Sequence, residues 1–98
     1  MGFIQVIEFT SSNLAEFDAA LSEWTAATAG RRTATRGTLT ADRDRPNTYV
    51  QIVEFPSYDA AMANSEDPHT SAFAARLNAL CDEGPTFRNL DVVNVTDL

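Results

Sequence analysis

Ile4-Gln5-Val6-Ile7-Glu8-Phe9 and Val50-Gln51-Ile52-Val53-Glu54-Phe55 are nearly the same hexapeptide, written once in each half of the chain. Each is rich in β-branched and aromatic residues and reads as a strand, and an amphipathic helix pattern follows each copy. A repeated strand at the head of each half predicts two β-α-β units wrapped into one sheet, with the copies side by side and parallel at its centre. Strand alternation places Gln5 and Gln51 with Ile7, Phe9, Val53 and Phe55 on the helix-covered face. Ile4, Val6, Val50 and Ile52 fall on the other face, with Glu8 and Glu54 as neighbours there.

Working outward, the strand signal runs from Phe3 to Thr10. Asn13 with Glu16 three residues on has the pattern of a capping box. Leu14, Phe17, Leu21 and Trp24 form one helical stripe, and Gly30 is a C-terminal stop. Arg32 to Thr40 alternates as a strand. The polar turn from Asp42 to Asn47 makes Tyr49 to Phe55 its hairpin partner. A short helix carries Tyr58 and Met62. Asp67-Pro68 restarts a helix with Phe73, Leu77, Leu80 and Cys81 on one side. Gly84-Pro85 ends that helix, and Phe87 to Val95 is the last strand. The order is β-α-β-β-α-β with the second helix broken: an α+β, ferredoxin-like sandwich over residues 1–98 as one domain, with a four-stranded antiparallel sheet. Helices cover one sheet face, so the apolar opposite face calls for a second copy of the chain.

Composition narrows the partners. Ninety-eight residues that are 44% hydrophobic make a folded domain, not a disordered chain. Seven basic against fourteen acidic residues give a formal charge of -7, which repels nucleic-acid phosphates and anionic membranes. Cys81 is the single cysteine, so no intrachain disulfide forms; with no leader pattern or membrane-length apolar run, the expected location is cytoplasmic. One histidine with scattered carboxylates lacks metal-ligand spacing, so no metal site is expected.

Two primary amides in an apolar layer must be satisfied by each other, by water or by a ligand. Gln5 and Gln51 are therefore either a core amide pair or a polar anchor for a ligand carbonyl or phenol. His69, four residues before Phe73 and eight before Leu77, is either a solvent-facing residue beside a turn or an inward general base. Trp24 is a packing residue or a stacking surface for a flat ring, and Tyr58 can gate the mouth. Cys81 reads as a structural thiol. Arg32, Arg36 and Arg88 are the expected cationic partners of Glu8 and Glu54. Five of the seven arginines fall between Arg31 and Arg45, as an edge-strand guard or an anion-facing rim.

The element order, the broken second helix and the stretches from Tyr49 to Met62 and from Ser71 to Leu77 resemble the dimeric α+β barrel superfamily. Within it, the chain is most similar to the antibiotic-biosynthesis-monooxygenase-like proteins. The resemblance implies a homodimer closing two sheets into a barrel, with a small-molecule pocket between sheet and helices in each subunit. It implies cofactor-free oxygenation of an electron-rich phenol or anthrone-like substrate, with Gln51 and Gln5 holding its oxygen and His69 assisting proton removal. Trp24, Phe55, Tyr58 and Phe73 would then shape the cavity. Where such oxygenases carry an Asn and a Trp four apart on the third strand, this chain has Gln51 and Phe55. Where haem-degrading relatives carry a His on the last helix, it has Leu77. A non-catalytic, stress-associated binding barrel is the second reading, and a haem-binding or haem-degrading protein the third.

Overall fold

In the computed structural model, which describes residues 2–98, the elements are β1 (Phe3–Thr10), α1 (Leu14–Ala27), β2 (Arg36–Ala41), β3 (Thr48–Phe55), α2 (Tyr58–Ser65), α3 (Pro68–Leu80) and β4 (Glu83–Asp91). They form one four-stranded sheet in the order β2-β3-β1-β4. The duplicated hexapeptides are adjacent in mid-sheet, as expected. They run antiparallel, however, with Phe3 opposite Phe55 and Thr10 opposite Thr48. The reason is topological. The α1 crossover brings β2 back in the direction of β1, leaving a one-strand gap, and the hairpin sends β3 into that gap in reverse.

This direction separates residues that a parallel pair would align. Glu8 lies opposite Val50 and Glu54 opposite Ile4, so the two carboxylates stand at opposite ends of the open face instead of side by side. Each has its own cation: Arg36 Nε is 3.7 Å from Glu54, while Arg45 and Arg88 approach Glu8 at 3.5 and 3.7 Å. Arg32, the third expected partner, lies elsewhere. These pairs are solvent-exposed and contribute little to stability.

Three boundaries shift. The capping box does not form: the Asn13 side chain makes no cap bond, and buried Ser11 organises the turn. Its Oγ accepts from Asn13 N at 3.0 Å and donates to the Leu80 carbonyl at 2.9 Å. The strand β2 begins at Arg36, because Arg32 and Thr33 are spent on α1 and α2 contacts. Gly84-Pro85 lies inside β4; the helix ends earlier, where Cys81 turns extended. Gly84 has φ 87° and sits where an added Cβ would be 2.9 Å from the Glu8 carbonyl, beside an irregularity in the β1–β4 register. Only glycine fits there without displacement.

The core is divided. Ile7, Phe9, Phe17 and Leu77 fill one end of the sheet–helix layer, while Phe3, Phe55 and Ala61 fill the other. Tilted rings of Phe9 and Phe17, 5.1 Å apart, anchor α1 to β1, and Phe17 continues to Phe73 on α3 at 6.0 Å. Each fully buried Phe contributes roughly 1.5–3 kcal/mol of apolar burial. Gln5, Gln51 and Val53 occupy the stretch between the two clusters.

Candidate ligand-binding site

Between those clusters lies a cavity of about 410 Å³, bounded by the covered sheet face, α1 and α3. Gln5, Ile7, Gln51, Val53 and Phe55 form its floor. Trp24 and Leu21 of α1 and Phe73 and Leu77 of α3 close it from above. Its size suits a compact organic molecule, and its walls are mostly apolar with a few polar groups.

Gln51 is the group that most needs an explanation. It is 5% exposed, yet its Oε1 has no hydrogen-bond partner. Such an orphaned buried acceptor costs about 1–3 kcal/mol. Its amide nitrogen lies against β2: a Cβ built on Gly37 would be 3.1 Å from Nε2. Gly37 thus leaves room for the amide in this position. The two glutamines do not pair with each other, because antiparallel register sets Gln5 opposite Val53 and Gln51 opposite Ile7. Gln5 instead donates to Asn89 Oδ1 at 3.3 Å.

The upper wall is fixed by polar contacts. Trp24 Nε1 donates to Thr70 Oγ1 at 2.9 Å, tying α1 to α3, and the indole lies 6.1 Å from the Phe73 ring. The Arg32 guanidinium sits over the Trp24 ring at 5.5 Å. It donates to the Thr25 carbonyl at 2.9 Å and to Thr28 Oγ1 at 3.3 Å.

Of the residues singled out from sequence, Gln5, Gln51, Trp24, Phe55 and Phe73 converge on this cavity. His69 and Tyr58 do not. His69 is exposed and borders a separate shallow cleft, with Trp24 and Phe73 forming the wall between the two. Helical phase explains its placement: at about 100° per residue, His69 is about 80° out of line with Leu77, whereas Thr70 is within about 20°. The inward face is therefore Thr70, Phe73 and Leu77. Tyr58 is 53% exposed and packs edge-on against Phe3 at 5.5 Å, away from the cavity.

Arg32, Gly37 and Thr70 join the site without having been singled out for it, and Asn89, outside the lining, holds the Gln5 amide. Thr70 was visible in the spacing to Phe73 and Leu77, Arg32 fell within the arginine-rich stretch read as an edge guard or an anion-facing rim, and Gly37 carried no local signal. Cys81 is partly buried at the end of α3, and desolvation raises its thiol pKa, with Asp82 adding to the effect. No cluster of three metal-ligating side chains occurs among the described residues, and no helix is long and apolar enough to cross a membrane.

Neither a protein-family model nor a curated protein gives a match to the sequence. Solved structures do match. SnoaB, a cofactor-independent oxygenase from Streptomyces nogalater, is 25% identical with a TM-score of 0.78, over 96% of this chain and 95% of that one. A Caulobacter crescentus protein assigned as an antibiotic biosynthesis monooxygenase is 18% identical with a TM-score of 0.79, over 95% and 91% of the two chains. Rv0793 from Mycobacterium tuberculosis is 14% identical with a TM-score of 0.78, over 99% and 100%. The chain therefore has the α+β fold of the antibiotic-biosynthesis-monooxygenase-like proteins, which its strand and helix patterns resemble.

Proposed function

We propose that this protein holds a flat, largely apolar aromatic molecule in the cavity between sheet and helices and oxygenates it with O₂, without a cofactor. The observation that carries the binding part is the unpartnered Gln51 Oε1 at the floor of a cavity of about 410 Å³. Oε1 is closed off in this conformation, so a ligand meets it only once the amide turns about its terminal bond; a phenol then donates to Oε1, or an enolate oxygen accepts from the amide nitrogen. The reaction class draws support from the likeness to SnoaB at 25% identity. In an anthrone-like substrate the ring methylene becomes a carbonyl and the second oxygen atom leaves as water. The substrate supplies all the electrons, so no external reductant enters.

One feature favours a second reading, a binding protein without turnover. The cavity is lined by no carboxylate, imidazole, thiol or phenol, so no protein base faces the ligand. Turnover then requires a substrate that ionises readily. Leu77, at the place of a haem-ligating His in relatives, is buried in the core and argues against a haem reading.

Homodimerisation through the open sheet face completes the proposal. Ile4, Val6, Val50 and Ile52 form an apolar strip there, with Leu90, at 45% exposure, beside it. The ion pairs of Glu8 and Glu54 flank the strip.

Oxygen uptake with an anthrone and a panel of polyphenols tests the enzyme reading, beside quenching of Trp24, the only tryptophan, as a binding signal. Saturable quenching with uptake that falls in Gln51→Ala supports the oxygenase. Quenching without uptake supports the binder. Neither signal with any flat aromatic overturns both.

A further inference from the structure

Acidic residues outnumber basic ones fourteen to seven in this chain, yet the cavity lining inverts that balance: it includes Arg32 and Arg36 and no Asp or Glu. Arg36 spends its guanidinium on Glu54, on the other face of the sheet. Arg32 is different. Arg31, Arg36, Arg45, Arg76 and Arg88 each have a carboxylate partner among the described residues. Arg32 and Arg43 have none, and of these two only Arg32 lines the cavity; its two polar contacts, to the Thr25 carbonyl and Thr28 Oγ1, both use a single nitrogen, Nη1.

The guanidinium is also held in place. The Trp24 ring lies beneath it at 5.5 Å, and Trp24 is itself fixed by Thr70. A cation over an indole face is favourable, and the planar fork is pre-organised for a carboxylate. Arg32 is thus an oriented, uncompensated positive charge at the lip of a cavity whose floor carries the neutral Gln51 amide. Over distances beyond roughly 8 Å the chain's net negative charge is screened at physiological salt, so the charge at the lip governs recognition there.

We infer that the cavity selects a flat aromatic acid: the ring system lies against Trp24 and Phe73, and its carboxylate is received by Arg32. This rests on the cavity being a ligand site and adds the class of ligand. The two ends of the molecule meet different groups, a neutral amide at the floor and a guanidinium at the lip, which fixes its orientation.

The test compares anthracene carboxylate with anthracene carboxamide, isosteric probes that differ in charge, by calorimetric titration of the full chain. Wild type is expected to prefer the acid about tenfold, equivalent to about 1.4 kcal/mol. The preference is expected to shrink with added salt, while carboxamide affinity stays constant. In Arg32→Gln the two probes should bind equally, and Arg32→Lys should retain part of the preference. Equal binding of both probes by wild type overturns the acid preference and leaves the cavity reading intact. A preference that survives in folded Arg32→Gln overturns the role of Arg32. Should Arg32→Gln fail to fold, the salt response of wild type decides: an acid preference insensitive to salt overturns the proposal. Failure of wild type to bind either probe removes the cavity reading, and this inference with it.

Discussion

Replacing Gln51 by Met separates a ligand-holding amide from a structural one. Methionine matches the length of glutamine, is flexible, and carries no strong polar atom into the site. Gln51 is 5% exposed and its Oε1 has no partner, so the substitution removes an unsatisfied acceptor and breaks no hydrogen bond seen for that atom. An orphan of this kind costs about 1–3 kcal/mol. Water entering the cavity offsets part of that cost in solution, so the expected gain lies near the lower limit, about 1 kcal/mol. For a domain of this size that raises Tm by about 4–8 °C. Urea unfolding monitored by far-ultraviolet circular dichroism measures the same change. Binding of a phenolic aromatic should weaken by roughly two- to twelvefold, the range of one net hydrogen bond. A loss of 1 kcal/mol or more in stability would show that the amide supports the fold and refute the reasoning. Unchanged stability with unchanged binding would refute it equally.

Other outcomes follow from the same geometry. Phe17→Ala removes a ring that is 1% exposed and joins Phe9 to Phe73, and should cost about 3–5 kcal/mol in urea unfolding. Gly37→Ala puts a methyl group 3.1 Å from Gln51 Nε2, so it should change stability by less than about 1 kcal/mol but weaken ligand binding in a Trp24 quenching titration. Asp67 caps α3, and its pKa is held below 3.8, first by the Arg31 side chain and then by the His69 backbone N–H. Because the folded value is depressed, the unfolded chain binds more protons in acid. The contribution is complete above the unfolded value and is lost as pH falls through the folded one. Asp67→Asn should flatten the acid limb of a stability profile while leaving helix content unchanged. Ile52→Glu sets a charge in the apolar strip of the open sheet face; with the proposed dimer through that face, light scattering should show a dimeric wild type and a monomeric variant.

The fold was legible because its signals are redundant. The two copied hexapeptides, the stripe of Leu14, Phe17 and Leu21, and the hairpin turn all point to one architecture. Strand direction is not a local property: it follows from where α1 leaves room in the sheet, and a repeated sequence misleads by implying repeated orientation. The site was legible where it depends on alternation, as for Gln5, Gln51 and Phe55, which lie on the covered face. Of the two readings of His69 the solvent-facing one holds; the inward one failed because a one-residue error in phase rotates a helix face and put His69 where Thr70 stands. Arg32 was legible only as one of a run of arginines; its place over Trp24 depends on a non-repetitive segment, whose path only the packed helices define.

The most direct measurement of the central claim is a crystal structure of the protein with a phenolic anthrone-like compound bound. One molecule should lie between the Gln51 floor and the wall formed by Trp24 and Phe73. A ligand oxygen should lie about 3 Å from the Gln51 amide. An aromatic found only on the open sheet face or in the cleft beside His69, with the Gln51 cavity unfilled, would contradict it.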